Sequence, residues 1–323
     1  EEHNQNNQNG KRGAKAALEQ SEAYRQAVQT QLIATIANSY YSLLMLDAQL
    51  DISERTAAIW GENVRAMKAL KAAGDATELA VAQSEASKLS VDASIASLRQ
   101  QIDQMENTLT ALLGIAPQKI DRTTIGEQRF PTELAAGVPL QLLQRRPDVR
   151  QSEAALAQAF YATNAARAAF YPSITLSGSA GWTNAAGAAI TNPGQWLFTA
   201  VGSLVQPLFN RGKNIANLRI AKAQQEEALL SFRQSLLDAG TDVNNALIQW
   251  QTARQRQQID QQQILSLEST VRSSELLMQY SSQNYLEVLT ARQTLLQAEL
   301  TAVSDRFDEN QGLQETGVGI YYK

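Results

Sequence analysis

The alternation of apolar and polar positions divides most of the chain into long helices. In two places apolar residues recur every seven positions, which is the spacing of a coiled-coil seam. These positions are Ile36, Leu43, Leu50 and Ala57, followed later by Leu229, Leu236, Val243 and Trp250. The pattern predicts one long helix from about residue 11 to 73 and a second from about 213 to 280.

Each long helix is expected to turn back into a shorter one. Residues 74–77 read Gly-Asp-Ala-Thr, with a glycine that suits a helix end and a threonine that can cap the next helix, over 78–113. Residues 281–284 interrupt the second long helix, and a return helix is expected from 285 to about 311. The two turns, at Gly74 and Ser282, lie 208 positions apart, as do Tyr24-Arg25-Gln26 and Phe232-Arg233-Gln234. This spacing predicts an internal repeat of helical hairpins.

The segment 170–209 follows a different period. From Ser173 to Thr183 apolar and small polar residues alternate, which is the pattern of a strand with one apolar face. That face contains Ile174, Leu176, Ala180 and Trp182. A second run begins near Trp196, and each run of about ten residues could cross a bilayer as a tilted strand. The pair of tryptophans resembles membrane-interface aromatics. A surface hairpin packed on a soluble core fits the same pattern, and both interpretations stay open here.

Composition narrows the function classes. With 7 Pro and 6% aromatic residues the chain is typical of long helices. The net charge of −4 and the lack of extended basic runs argue against nucleic acid as a partner. There is no cysteine and one histidine, His3, and no serine–histidine–aspartate set, carboxylate dyad or phosphate loop stands out. We therefore expect no cofactor, no metal and no enzymatic activity.

These patterns suggest a linear division of the chain. We expect no transmembrane helix, because no apolar run reaches 18 residues, and no signal peptide. The expected segments are a disordered polar tail (1–10), a first-repeat helical hairpin (11–114), an equatorial linker and helix (115–169), a transmembrane β-hairpin (170–209), a second-repeat helical hairpin (210–316) and a C-terminal tail (317–323).

A lone hairpin with one apolar face has unpaired edges that hydrocarbon cannot satisfy, so it must close into a barrel with copies of itself. The expected fold is mainly α with a β-hairpin. Long antiparallel coiled-coil hairpins form an α-barrel tube, and the strands contribute to a trimeric transmembrane β-barrel.

Specific motifs carry a resemblance to a known family. The stretch 137–150, Gly-Val-Pro-Leu-Gln-Leu-Leu-Gln-Arg-Arg-Pro-Asp-Val-Arg, resembles a signature of the outer membrane factor family, of the TolC/OprM type. Its marked positions are Pro139, Arg145, Arg146, Pro147 and Asp148. Residues 165–176, 206–212, 284–292 and 304–307 are also similar to the family.

The resemblance implies a homotrimeric exit duct in the outer membrane of a Gram-negative bacterium, with its helical part in the periplasm. It implies a periplasmic adaptor (membrane fusion) protein, an inner-membrane pump, usually of the resistance-nodulation-division class, and outer-membrane lipid as partners. Drugs or other small molecules would pass through passively. Two alternatives remain: the outer-membrane channel of a type I secretion system, and a soluble coiled-coil scaffold.

The chain departs from the family pattern in several places. A full member has two strand hairpins per chain, so that the trimer has a twelve-stranded barrel, and many members carry a lipidated cysteine. One hairpin is found here, and we expect an N-terminally truncated member. The second turn lacks the glycine common there, and the C-terminus lacks the usual glycine-rich end.

The family also implies a gate near the second turn, made by a leucine, a carboxylate and an arginine. The matching positions here are Leu286, Thr290 and Gln293. The carboxylate and the arginine of the family pattern are therefore absent from these positions, and a strong charged interaction is not expected there. Glu287 and Arg292 could supply a displaced pair, but at i, i+5 they do not share a helix face and could pair only across chains. The alternative is that both are ordinary solvated charges.

The remaining candidate residues lie at the hairpin turns and at the signature. The resemblance makes the turns adaptor-docking tips, with residues Gly74, Asp75, Ala76, Thr77, Glu78, Leu79, Ser282, Asn284 and Tyr285. Arg145, Arg146 and Asp148 could form an anion site, but the family favours a structural role at a helix start.

Overall fold

The computed structural model describes residues 2–128, 145–171, 173–183, 195–205, 212–280 and 285–320. It is mainly helical, with one pair of strands, as predicted. The elements in chain order are α1 (Glu2–Ala73), α2 (Glu78–Leu113), a short 3₁₀ helix (Ile125–Glu127), α3 (Pro147–Ala168), β1 (Ser173–Thr183), β2 (Gln195–Val205), α4 (Lys213–Tyr280) and α5 (Tyr285–Ile320).

Local capping explains where the first hairpin turns. Gly74 has φ +88°, its N–H donates to the Lys71 carbonyl (3.0 Å), and the Asp75 N–H donates to the Leu70 carbonyl (2.9 Å). This pair of hydrogen bonds is the Schellman motif, which favours glycine because the residue must be left-handed. The same motif ends α2 at Gly114, with φ +70°. The turn and the bounds of α2 are as predicted.

Two terminal predictions are wrong. Residues 1–10 were expected to be disordered, but α1 is helical from Glu2 onward. The tail expected at 317–323 is helical as far as Ile320, where α5 ends, and 321–323 lie outside the described residues. In both places the residues extend a helix that already exists, polar ones at the N-terminus and Gly-Val-Gly-Ile at 317–320, and propagation of a helix costs far less than nucleation.

The two strands form an antiparallel pair over their full length. Ser173 lies opposite Val205, Gly178 opposite Ala200, and Thr183 opposite Gln195. Each strand has 11 residues, close to the length expected from the alternating pattern. Within the described residues this pair makes a two-stranded sheet.

The chain divides into two compact units that cut across both long helices. One contains residues 1–27 and 144–239, and the other contains 28–143 and 240–323. In the first unit the hydroxyl of Thr163 on α3 donates to the Ala221 carbonyl on α4 (3.1 Å), and the hydroxyls of Ser152 and Ser235 lie 2.6 Å apart. Polar cross-links therefore join α3 to the start of α4.

The second unit contains the principal apolar clusters. One is built on the fully buried Trp60 with Val91, Ile95 and Leu289, and another on Leu43, Leu46 and Ile102. Members of both heptad series are buried in this unit. They are Leu43, Val243 and Trp250. The seven-residue seam therefore marks core positions, as a coiled-coil pattern predicts.

Candidate functional site at the hairpin ends

The first hairpin tip is a capped turn with exposed side chains. The Thr77 hydroxyl accepts a hydrogen bond from the Ala80 N–H (3.2 Å), which satisfies a free donor at the start of α2. Lys71 and Glu78 form an ion pair across the turn. Leu79 is 63% exposed, and Asp75, Thr77 and Glu78 are exposed as well. The tip therefore presents accessible groups on a backbone that capping makes rigid.

Tyr285 fixes the second tip to the first hairpin. Its hydroxyl donates to Gln83 Oε1 on α2 (2.6 Å), and its ring packs against the cluster of Met67, Ala80 and Val81. It also packs against the cluster built on Trp60. Of the other residues predicted for this tip, Ser282 and Asn284 lie outside the described residues. The start of α5 is thus positioned by α1 and α2 together.

The predicted gate residues occupy two faces of α5. Leu286 is 54% exposed, and Glu287 and Thr290 are exposed too, whereas Val288 and Leu289 are buried. The Thr290 hydroxyl donates to the Leu286 carbonyl (2.9 Å), so it is used within the helix. Val288 and Leu289 therefore hold α5 in place while Leu286 and Glu287 face outward from their own chain.

Arg292 and Gln293 both have partners within the chain. Gln293 Nε2 donates to the Ser87 hydroxyl on α2 (3.1 Å). Arg292 forms an ion pair with Glu275 on α4, and its side chain is only 18% exposed. The predicted Glu287–Arg292 pair across chains stays a prediction, but Arg292 already has a carboxylate partner in its own chain.

The sequence alone does not single out Gln83, Ser87 or Glu275. Each is one of many polar residues on a helix surface, and no local spacing distinguishes it. Their roles depend on how α2 and α4 are turned toward α5, which is a property of packing. The internal repeat could locate the tip, but it could not show which polar residues meet there.

The signature residues form a helix start. Pro147 is the first residue of α3, where its missing N–H costs nothing. The Arg146 guanidinium donates to both oxygens of Asp148, at 3.1 and 2.8 Å, and to the Ala239 carbonyl (3.4 Å). Asp148 Oδ1 also accepts from the Val149 N–H (2.9 Å). Arg145 is exposed, and Pro139 lies outside the described residues.

The contact with Arg146 lowers the pKa of Asp148. Partial burial by itself raises the pKa of the carboxyl, but the hydrogen bonds and charge of Arg146 outweigh it, so the pKa lies below its ordinary value. The Arg146 guanidinium is thus already bound to a carboxylate of the same chain. This arrangement is typical of a structural contact and not of an anion-binding site.

The residues of the predicted membrane-facing strand have defined backbone positions. Leu176 lies opposite Gly202, Ala180 opposite Phe198, Ile174 opposite Leu204, and Trp182 opposite Trp196. The two tryptophans are therefore cross-strand partners near the closed end of the hairpin. Which face of the strands meets lipid stays a prediction. Within the described ranges no helix combines the length and the apolarity that crossing a membrane requires.

Comparison with known proteins identifies the family. The model of the outer membrane efflux protein family matches residues 3–115 and 138–312, which covers both helical hairpins, α3 and the strand pair. The chain belongs to the outer membrane efflux protein family.

Relatives and solved structures agree with this assignment. The cation efflux system protein CusC of Escherichia coli O6:H1 is 28% identical over 302 residues, or 93% of this chain and 65% of CusC. The pyoverdine export outer membrane protein OpmQ of Pseudomonas aeruginosa is 31% identical over 315 residues, 96% of this chain and 64% of OpmQ. The crystal structure of the open state of the Neisseria gonorrhoeae MtrE outer membrane channel matches with a TM-score of 0.84 at 27% identity, covering 96% of this chain and 71% of MtrE.

The chain spans about two thirds or slightly less of the length of these curated relatives. The predicted family is confirmed, and the family places the chain in the outer membrane. Members are efflux channels rather than enzymes, in agreement with the expectation from the sequence.

Proposed function

We propose that the protein is the outer-membrane exit duct of a tripartite efflux system. In this role it conducts small molecules passively from an inner-membrane pump of the resistance-nodulation-division class, through a periplasmic adaptor, to the exterior. The observation that carries the proposal is the family match across both helical hairpins. One relative is named for cation efflux and another for pyoverdine export, which supports a general duct rather than a site for one cargo.

Exposed apolar residues support a homotrimer. The α4 helix carries large apolar side chains that are more than half exposed, and burying such groups against a neighbour is favourable. They include Ile220, Leu230, Ile248, Ile259, Leu265 and Leu276. The two-stranded sheet also has outer edges that require partners in a membrane. In the proposed assembly, copies of the chain pair their strands in a barrel and their helices in a tube.

The hairpin tips are the proposed adaptor-docking surface. The first tip carries both charges of the Lys71–Glu78 pair and the exposed Leu79. The second begins at Tyr285, which is held by Gln83. Rigid turns with accessible apolar and charged groups suit a partner that must dock without unfolding them. The predicted tip residues Ser282 and Asn284 belong to the same proposal.

We propose that leucine packing closes the channel at rest. An exposed ion pair contributes about 0–1 kcal/mol, and Arg292 is already paired with Glu275. Burial of a leucine contributes roughly 1.5–3 kcal/mol, and Leu286 is 54% exposed in the single chain. Three copies of Leu286 meeting on the axis would therefore dominate over Glu287, Thr290 and Gln293.

Conductance in planar bilayers tests the function and the gate together. The reconstituted chain should form pores that are mostly closed, and Leu286→Ser should raise the resting conductance more than Glu287→Gln does. Leu79→Ser is the matched control, because Leu79 is a leucine at the other tip that is also more than half exposed, and its substitution should leave the conductance unchanged. A chain that forms no pores contradicts the duct. Pores that open with Glu287→Gln but not with Leu286→Ser contradict the leucine gate.

A further inference from the structure

Two buried carboxyl groups face each other between α4 and α5. Asp305 is 1% exposed and Asp260 is 8% exposed. Arg256, one turn before Asp260 on α4, forms an ion pair with Asp305 on α5, so the two carboxyl groups lie on facing sides of the two helices. A carboxylate can only accept hydrogen bonds, so two of them share such a bond only when one holds a proton. The pair lies 45 positions apart in the sequence, on the two helices of the second hairpin.

The surroundings of this pair leave its charge poorly compensated. Among the described residues, neither oxygen of Asp305 nor Oδ2 of Asp260 has a hydrogen-bond donor. Arg256 forms an ion pair with Asp305 that lacks hydrogen-bond geometry. Its side chain is 49% exposed, and it also pairs with Asp308 at 3.8 Å. One half-exposed arginine thus pairs with two carboxyl groups, those of Asp305 and Asp308.

The other polar side chains near Asp305 are either uncharged or already hydrogen-bonded to other groups. Gln257 on α4 donates to Glu309 (2.7 Å) and to the Asp305 carbonyl (3.4 Å). Gln49 on α1 donates to the Ser304 hydroxyl (3.2 Å). Arg306 donates to the carbonyls of Gly126 and Gln128. In the part of the chain that the structure describes, the charged groups acting on Asp305 are therefore Arg256, Asp260 and Asp308.

We infer that Asp260 and Asp305 form a proton-binding site that couples pH to the pairing of α4 with α5. With one proton shared, a hydrogen bond links the two helices at a buried point. Without it, two like charges face each other in a poorly solvated space, and the helix pair loosens. This inference goes beyond conduction, because it concerns a proton held within one chain and needs no transport.

The direction of the pH effect follows from the pKa. Burial and the neighbouring carboxyl group of Asp260 raise the pKa of Asp305 to about 6, although the positive charge of Arg256 lowers it. A raised carboxyl pKa means that the folded chain binds the proton more tightly than the unfolded chain does. The stabilising contribution is therefore complete at acid pH and is lost as the pH rises through about 6.

Infrared titration of the protonated carboxyl band tests the site directly. The purified full chain in detergent should show a band that disappears with a midpoint near pH 6, and Asp305→Asn should remove it. Asp260→Asn should lower the midpoint, because it removes a like charge and supplies a donor. Arg256→Gln should raise it, because it removes a cation. If Asp260 and Arg256 contributed only to packing, neither substitution would move the midpoint.

Hydrogen exchange of the α5 backbone tests the coupling. After correction for intrinsic rates, amides around Asp305 should exchange severalfold faster at about pH 7.5 than at about pH 4.5. Asp305→Asn should remove this difference, whereas Asp103→Asn, at an exposed aspartate on α2, should retain it. The inference is overturned if the parent chain shows no carboxyl band above about pH 5, or if Asp260→Asn leaves the midpoint unchanged.

Discussion

At Gly312 the backbone of α5 lies directly against that of α4. A Cβ placed there would be 2.9 Å from the Trp250 nitrogen and 3.1 Å from the Ala246 oxygen. These are backbone atoms, so the clash cannot be relieved by a change of rotamer. Trp250 is buried at this point, and Arg254 lies over its ring at 5.5 Å. A single missing side chain therefore sets how closely the two helices approach.

Gly312→Ala should destabilise the chain by roughly 1–3 kcal/mol, which is the usual cost of overpacking a core. Gly61→Ala is the matched control. It is also a helical glycine, but its nearest new contact is the flexible end of Lys88 at 3.8 Å, so it should stabilise by roughly 0.5–1 kcal/mol. Denaturant unfolding of both variants checks this prediction. Equal effects of the two substitutions would show that the close approach at Gly312 is not tight in solution.

At the scale of elements, the alternating sequence of the strand pair predicts which of its two faces would contact lipid. The register places Leu176 opposite Gly202 and Thr175 opposite Ser203, so the two positions lie side by side on β1 with opposite expected faces. The alternating pattern predicts that Leu176 contacts lipid and that Thr175 faces the lumen.

Leu176→Arg should therefore impair membrane assembly by about 2–4 kcal/mol, the cost of an arginine near the bilayer midplane. Thr175→Arg should be tolerated, because lumen-facing positions are solvated. The folded fraction in outer-membrane extracts measures both variants. If both assemble equally well, the predicted orientation of the strands is wrong.

The helical elements could be predicted largely from the sequence. The break at Gly74, the bounds of α2 and the extent of α4 follow from local signals, namely glycine at a helix end, threonine at a cap and a seven-residue apolar period. The helical state of residues 2–10 was missed, because a polar, low-complexity composition does not show that a neighbouring helix will extend into it.

At the scale of the whole molecule, α4 carries exposed apolar residues, and the sheet has two strands within the described part of the chain; the proposed assembly would bury these apolar residues and pair the edges of the sheet. A coiled-coil scaffold would dissolve without detergent, whereas a barrel-forming chain would need it for extraction. The need for detergent in extraction therefore distinguishes the proposed assembly from the scaffold alternative.

We expect the chain to be extracted by detergent as a homotrimer of 35.3 kDa subunits. Mass measurement with correction for bound detergent checks the number of subunits. A monomer that stays soluble without detergent would contradict the assembly and would restore the scaffold interpretation.

The sequence by itself determined the helical hairpins, their repeat, the strand pair and the family, because each depends on spacing or on motifs that are local in the chain. Only the tertiary structure decided the partners of the candidate residues. It paired Arg292 with Glu275 and Tyr285 with Gln83, and it placed Asp260 and Asp305 on facing sides of α4 and α5. The physical reason is that a heptad seam specifies which side of a helix is buried, whereas the rotation and register of one helix against another result from all packed side chains together.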